Sequence, residues 1–232
     1  MAYEIKVIDK AVRVLQCFTH QERQCTLSQL VLKSQINKPT LIRLLNSLIQ
    51  NRLIVKDEHR RTYMLGPMAW RLGQIYHQND QAEILIRPLL KKLSLQIRQT
   101  ITFSICEGHQ EVCLYCYNSN RELNHHITEG DVFDLLTASG KVFLAMANSK
   151  SSYYQKLQKQ GYLFSLDERI QNLAVIAVPI FNSKKVFCGV LSASGFKQYF
   201  TERNLTKIIN ALLAQQKDIQ DKLNFPINLH YE

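Results

Sequence analysis

Four leucines constrain this chain more than any other feature. Leu41, Leu44, Leu45 and Leu48 fall at i, i+3, i+4 and i+7, which puts them on one face of a helix spanning residues 37–50. The other side carries Pro39, Thr40, Ile42, Arg43, Asn46, Ser47 and Gln50. It is short-chained and polar, with one Arg and one branched apolar residue. Asn37 is placed to cap the helix, and Pro39 is tolerated because it sits in the first turn. Upstream, Leu27, Leu30 and Val31 mark a shorter helix. Thr26 and Gln29 are spaced as its capping box, with Ser28 as a competing cap. A tight turn near residues 34–36 separates the two. A short helix, a turn and a second helix with a solvent-ready polar face form a helix-turn-helix, whose second helix enters a DNA major groove.

The segment behind that helix reads as a hairpin. Residues 53–56 and 62–65 are two short strands joined by Asp57-Glu58-His59-Arg60-Arg61. Such a hairpin is a wing, and adjacent arginines at its tip suit phosphate or minor-groove contact. The plainer alternative is a three-helix subdomain with a solvated basic face. Charge favours the wing. Residues 1–66 hold 11 Lys or Arg against 5 Asp or Glu, which is +6 of the total +10. A basic end on a milder body suits a domain that meets a polyanion.

With these segments in view, the sequence resembles the IclR family of bacterial transcriptional regulators. Residues 8–15 look like that family's opening helix. Residues 27–30 and 38–45 are similar to its helix-turn-helix, and Tyr63-Met64-Leu65-Gly66-Pro67 to the end of its wing. Thr137-Ala138-Ser139-Gly140-Lys141, Gly161-Tyr162, Ala177-Val178-Pro179 and Leu191-Ser192-Ala193-Ser194-Gly195 follow in the family's order. The resemblance implies an α+β chain: a winged helix-turn-helix DNA-binding domain over 1–66, a linker helix over 67–79 and a GAF-like effector-binding domain over 80–232. It implies a homodimer or tetramer on double-stranded operator DNA, more often a repressor of a catabolic operon. A small-molecule effector, of carboxylate type, would tune DNA binding. Lys38, Pro39, Thr40, Ile42, Arg43, Arg60 and Arg61 are the expected DNA contacts. Ala138, Ser139, Ser165, Val175, Ser192 and Ser194 are the expected effector contacts. Ser165 and Val175 stand where many members carry Asp and Cys, and Leu135 replaces a frequent His. These departures predict a pocket with less charge of its own.

The rest of the chain reads as follows. Asp9 is placed to cap a first helix with Ala11, Val14, Leu15 and Phe18 as its buried stripe. Residues 68–77 form a helix apolar on more than one side, through Trp70, Leu72, Ile75 and Tyr76, as a helix that buries against a partner would be. Residues 79–81 are a polar break, and Arg87-Pro88 opens another helix. Strands are expected over 100–106, 112–117, 174–181 and 186–194, helices over 139–146 and 149–160, and a last helix capped by Thr201. Interleaved strand pairs and helices make an α+β domain.

Catalytic and metal motifs fail on inspection. Cys113 and Cys116 have CxxC spacing but no second pair, and on a regular strand they would point to opposite faces. A phosphate loop around Gly140-Lys141 needs Gly at 135 and Ser or Thr at 142, where the chain has Leu135 and Val142. His125 and His126 fall in a polar loop and read as solvated. No enzyme, cofactor or metal is expected. The start of the 139–146 helix should offer free backbone N–H groups as an anion seat, and alternation puts Ser192 and Ser194 on one strand face. No apolar run approaches the roughly 18 residues of a membrane span, and the cysteine count is that of a cytoplasmic protein rather than a disulfide scaffold. Two rivals stay open: a small-molecule enzyme or sensor whose winged helix binds protein, and a winged-helix interaction protein with no DNA role.

Overall fold

The computed structural model describes residues 5–20, 22–78 and 81–223. The chain divides into two compact units, residues 1–80 and 81–232. Most of the polar break expected at 79–81 lies outside the described residues.

In the first unit, α1 (Lys6–Leu15), α2 (Leu27–Ser34) and α3 (Lys38–Gln50) pack around Val14, Leu30, Leu41, Leu45 and Ile54. The Thr26–Gln29 capping box forms as spaced: the Thr26 N–H donates to Gln29 Oε1 at 2.7 Å and the Gln29 N–H to Thr26 Oγ1 at 3.3 Å. Gln35, at φ 54°, ends α2 in the left-handed region. The turn releases into α3, where Asn37 Oδ1 accepts the Thr40 N–H at 3.0 Å. Asn37→Ala should therefore cost the unit about 1 kcal/mol, read as a lower urea midpoint with unchanged slope. The wing is β2 (Ile54–Asp57) paired antiparallel with β3 (Thr62–Leu65), and β1 (Cys25–Thr26) adds a third, edge strand. Gly66 closes the wing. Its N–H donates to the Leu53 carbonyl at 2.8 Å, and a Cβ there would overlap the Arg52 carbonyl. The helix α4 (Pro67–Gln78) follows.

One expectation here is corrected. Asp9 does not cap α1; the helix starts at Lys6 with Ile5 as an N-cap that makes no side-chain bond, and Asp9 sits within the first turn. There it complements the helix dipole instead.

The second unit is a six-stranded antiparallel sheet in the order β6-β5-β4-β9-β8-β7. Its strands are β4 (Thr100–Glu107), β5 (Gln110–Tyr117), β6 (Val132–Asp134), β7 (Leu163–Leu166), β8 (Leu173–Phe181) and β9 (Phe187–Phe196). One face presents Ile101, Phe103, Tyr115, Ile176 and Leu191 to α5 (Gln81–Ile97) and α8 (Glu202–Lys222). The other presents Val175, Ala177 and Val190 to α6 (Ala138–Ala147) and α7 (Ser152–Gln160). Gly161, at φ 80°, ends α7.

Three local readings change in this unit. Pro88 lies inside α5 rather than opening it. Buried Ala82 and Ile86 anchor the turns ahead of it, and Arg87 pairs with both Glu83 and Glu129. Thr201 holds the N-cap position of α8 but makes no capping hydrogen bond. Cys113 and Cys116 do converge. A bulge shifts the β4–β5 register, pairing Phe103 with Tyr115 but Ser104 with Cys113. The extra residue restores both cysteines to one face, where the Cys113 thiol donates to the Tyr115 carbonyl at 3.6 Å and the Cys116 thiol to the Ile127 carbonyl at 3.3 Å.

Candidate functional site

Two regions carry the candidate residues, one in each unit. In the first, α3 buries its leucine face and leaves Lys38, Pro39, Ile42 and Arg43 exposed, with Thr40 half-buried. Arg60 and Arg61 are exposed at the wing tip. Asp57 Oδ1 accepts the backbone N–H groups of His59 and Arg60, each at 3.0 Å, and Arg61 turns the chain at φ 51°. The Asp-centred turn fixes the tip that carries both arginines.

In the second unit a cavity of about 20 Å³ lies between the sheet face and the start of α6. Its lining includes Ser139, Val175, Ser192 and Ser194 from the expected set. Ala138 and Ser165 stand directly behind: the Ala138 N–H donates to Ser165 Oγ at 2.9 Å. The sheet register explains the hydroxyls. Ser192 pairs with Thr102 across β4–β9, and their Oγ atoms lie 2.7 Å apart.

The charge of the site was not foreseen. Glu111 on β5 is 2 % exposed and accepts the Ser139 hydroxyl at 2.7 Å. Of the backbone donors expected at the α6 start, the Ala138 N–H is taken by Ser165 rather than by Glu111. Burial pushes its carboxyl above the usual carboxylate range, opposed by the Ser139 hydrogen bond. Arg169, from the loop between β7 and β8, stacks over the Phe133 ring at 4.1 Å, and its Nε is buried with no hydrogen-bond partner. Burial pulls its pKa down, against the pull of Glu111, Asp134 and Asp131. The expected pocket of low charge is thus corrected to one lined by a buried carboxyl and a guanidinium.

His125 is a second correction. The loop after β5 folds back over the sheet, held where Thr100 Oγ1 donates to the His125 carbonyl at 2.7 Å and Asn118 bonds Ile127 through both backbone groups. His125 then lines the cavity, while His126 stays exposed. Its Nδ1 is 2.9 Å from Ser194 Oγ and its Nε2 3.4 Å from Arg169 Nη2. Burial and the neighbouring guanidinium lower its pKa to about 4, so it is neutral at pH 7. Arginine only donates, so Nε2 accepts and the proton sits on Nδ1, directed at Ser194. Ser194 keeps its own hydroxyl proton to offer. Glu111 had one sequence signal, its in-phase spacing with buried Cys113 on β5. Arg169 had none, because a short loop delivers it.

Part of each region falls in a segment with a known counterpart. Residues 7–58 match the model of the IclR helix-turn-helix domain, and residues 151–221 match that of the C-terminal domain of bacterial IclR transcriptional regulators. The chain belongs to the IclR family. It is a transcriptional regulator with a DNA-binding helix-turn-helix, not an enzyme. Among curated relatives of this IclR-family chain, the Pca regulon regulatory protein of Pseudomonas putida is 23 % identical, over 92 % of this chain and 82 % of its own length. Solved structures share the fold. An IclR transcriptional regulator of Alicyclobacillus acidocaldarius superposes with a TM-score of 0.79 at 21 % identity, covering 94 % of this chain and 98 % of its own. An IclR homolog of Microbacterium hydrocarbonoxydans, complexed with 4-hydroxybenzoate, does so with a TM-score of 0.72 at 18 % identity, covering 94 % and 98 %. No described helix of this IclR-family protein is long and apolar enough to cross a membrane.

Proposed function

We propose that the protein is a cytoplasmic repressor of a catabolic operon that binds a pseudo-palindromic operator as a homodimer or tetramer and answers to a small carboxylate-bearing effector. The observation that carries this reading is the outward face of α3, exposed at Lys38, Ile42 and Arg43, in a unit whose wing ends in two exposed arginines. Arg43 suits a guanine edge and Ile42 a thymine methyl, while Lys38, Thr40, Arg60 and Arg61 hold backbone. Trp70, 68 % exposed on α4, with Leu72, Ile75 and Tyr76 also exposed, supports a second copy as partner. The cavity supports an effector, with Arg169 to take its carboxylate. The relatives support the same direction: one regulates a Pca regulon and another was solved with 4-hydroxybenzoate.

An effector acts only through unequal affinity for the DNA-competent and DNA-incompetent arrangements. It should therefore bind DNA-free protein more tightly than operator-bound protein, by the same factor by which it weakens operator binding. Arg43→Ala tests the recognition face. Its expected loss on the operator is about 1–3 kcal/mol, with a smaller loss on random DNA. Fluorescence anisotropy on both duplexes decides it; equal losses would assign Arg43 to phosphate alone.

A further inference from the structure

Glu111 and Arg169, an acid and a base, line one cavity, yet neither makes an ion pair among the described residues. Burial disfavours the charged form of each, so each gains most from a ligand group of the opposite charge. We propose that the cavity takes a small zwitterion, its carboxylate on the Arg169 guanidinium and its ammonium on the Glu111 carboxylate, so that Glu111 selects against plain carboxylates. This rests on reading the cavity as the effector site.

Three observations support the assignment. First, Glu111 is held at the α6 end by the Ser139 hydroxyl, where a ligand ammonium would favour its ionised form and a ligand carboxylate would oppose it. Second, the lining offers one acid, one guanidinium and a neutral His125. A net-neutral ligand with separated charges answers both, whereas a monoanion pairs Arg169 and leaves Glu111 alone. Third, the remaining lining suits the ligand's body. Ile127, Phe133 and Val175 cover an apolar stem, and Ser194 has a hydroxyl proton to give a carboxylate oxygen.

Size adds a requirement. At about 20 Å³ the cavity has room for little more than a water, so a larger ligand enters only as the Arg169 side chain or its loop gives way. That loop runs between Asp167 and Asn172, both in the left-handed region at φ 59° and 64°. Glu168 pairs with Lys141 of α6 across it.

The test is titration calorimetry on the full-length protein with two shape-matched triads. One is 4-aminobutanoate, butanoate and butylamine; the other is 4-(aminomethyl)benzoate, 4-methylbenzoate and 4-methylbenzylamine. The zwitterion of at least one triad should bind at least tenfold more tightly than its matched carboxylate and amine. Glu111→Gln should erase that preference by strengthening the carboxylate, and Arg169→Gln should abolish zwitterion binding, with circular dichroism confirming that each variant is folded. If a carboxylate binds wild-type protein as tightly as its zwitterion, the selection by Glu111 is wrong while the effector site stands. If Glu111→Gln folds and leaves the ratio unchanged, the selection is equally wrong. If none of the six binds, both the zwitterion and the effector reading of the cavity fall. The wild-type ranking decides the matter even if a variant does not fold.

Discussion

Leu41→Ala is expected to cost the winged unit about 2–5 kcal/mol, the range for truncating a fully buried leucine. Leu41 is 0 % exposed and packs in the cluster of Val14, Leu30, Leu45 and Ile54. Operator binding should fall with it, although Leu41 faces away from the outward side of α3. Its neighbour makes the control. Ile42 is 38 % exposed, so Ile42→Ala should change stability by no more than about 0.5 kcal/mol while weakening operator binding. Urea unfolding of each variant followed by far-ultraviolet circular dichroism measures this. Equal stability of the two variants would mean that the leucine stripe is not the core of this unit.

Gly140→Ala should be the most damaging small change in the second unit. A Cβ at 140 would overlap the Leu135 backbone and lie 2.8 Å from its carbonyl oxygen. Backbone on one side and helix on the other leave nothing that yields cheaply, so the start of α6 has to move. Overpacking of this kind costs about 1–3 kcal/mol. The shift also pulls Ser139 from Glu111, so ligand response should be lost as well. Differential scanning calorimetry should show a transition of the second unit lowered in temperature. A variant with unchanged melting and unchanged ligand response would contradict the close approach of α6 to Leu135.

The winged unit was legible because its signals are local. The leucine spacing, the Thr26–Gln29 box and the Asn37 cap each act within eight residues, and each forms where the sequence puts it. The cavity was legible only in part. Ser192 and Ser194 follow from strand alternation, and Ser139 from its resemblance to a family motif. Glu111, His125 and Arg169 come from a strand, a returning loop and a turn that meet only once β5 lies beside β4 and β7 beside β8. The three-residue β6 and four-residue β7 are too short to show a period. The bulge at β5 defeated the alternation rule that set Cys113 and Cys116 apart, because one extra residue inverts every later side chain.

The central claim is that α3 and the wing read a particular duplex. The measurement that tests it most directly is binding of the purified protein to its own upstream intergenic fragment and to a scrambled fragment of equal length, at two salt concentrations. Recognition by this face predicts tighter binding to the native fragment, with affinity for both falling steeply as salt rises through counterion release. Equal affinity for the two fragments, or binding indifferent to salt, would contradict it.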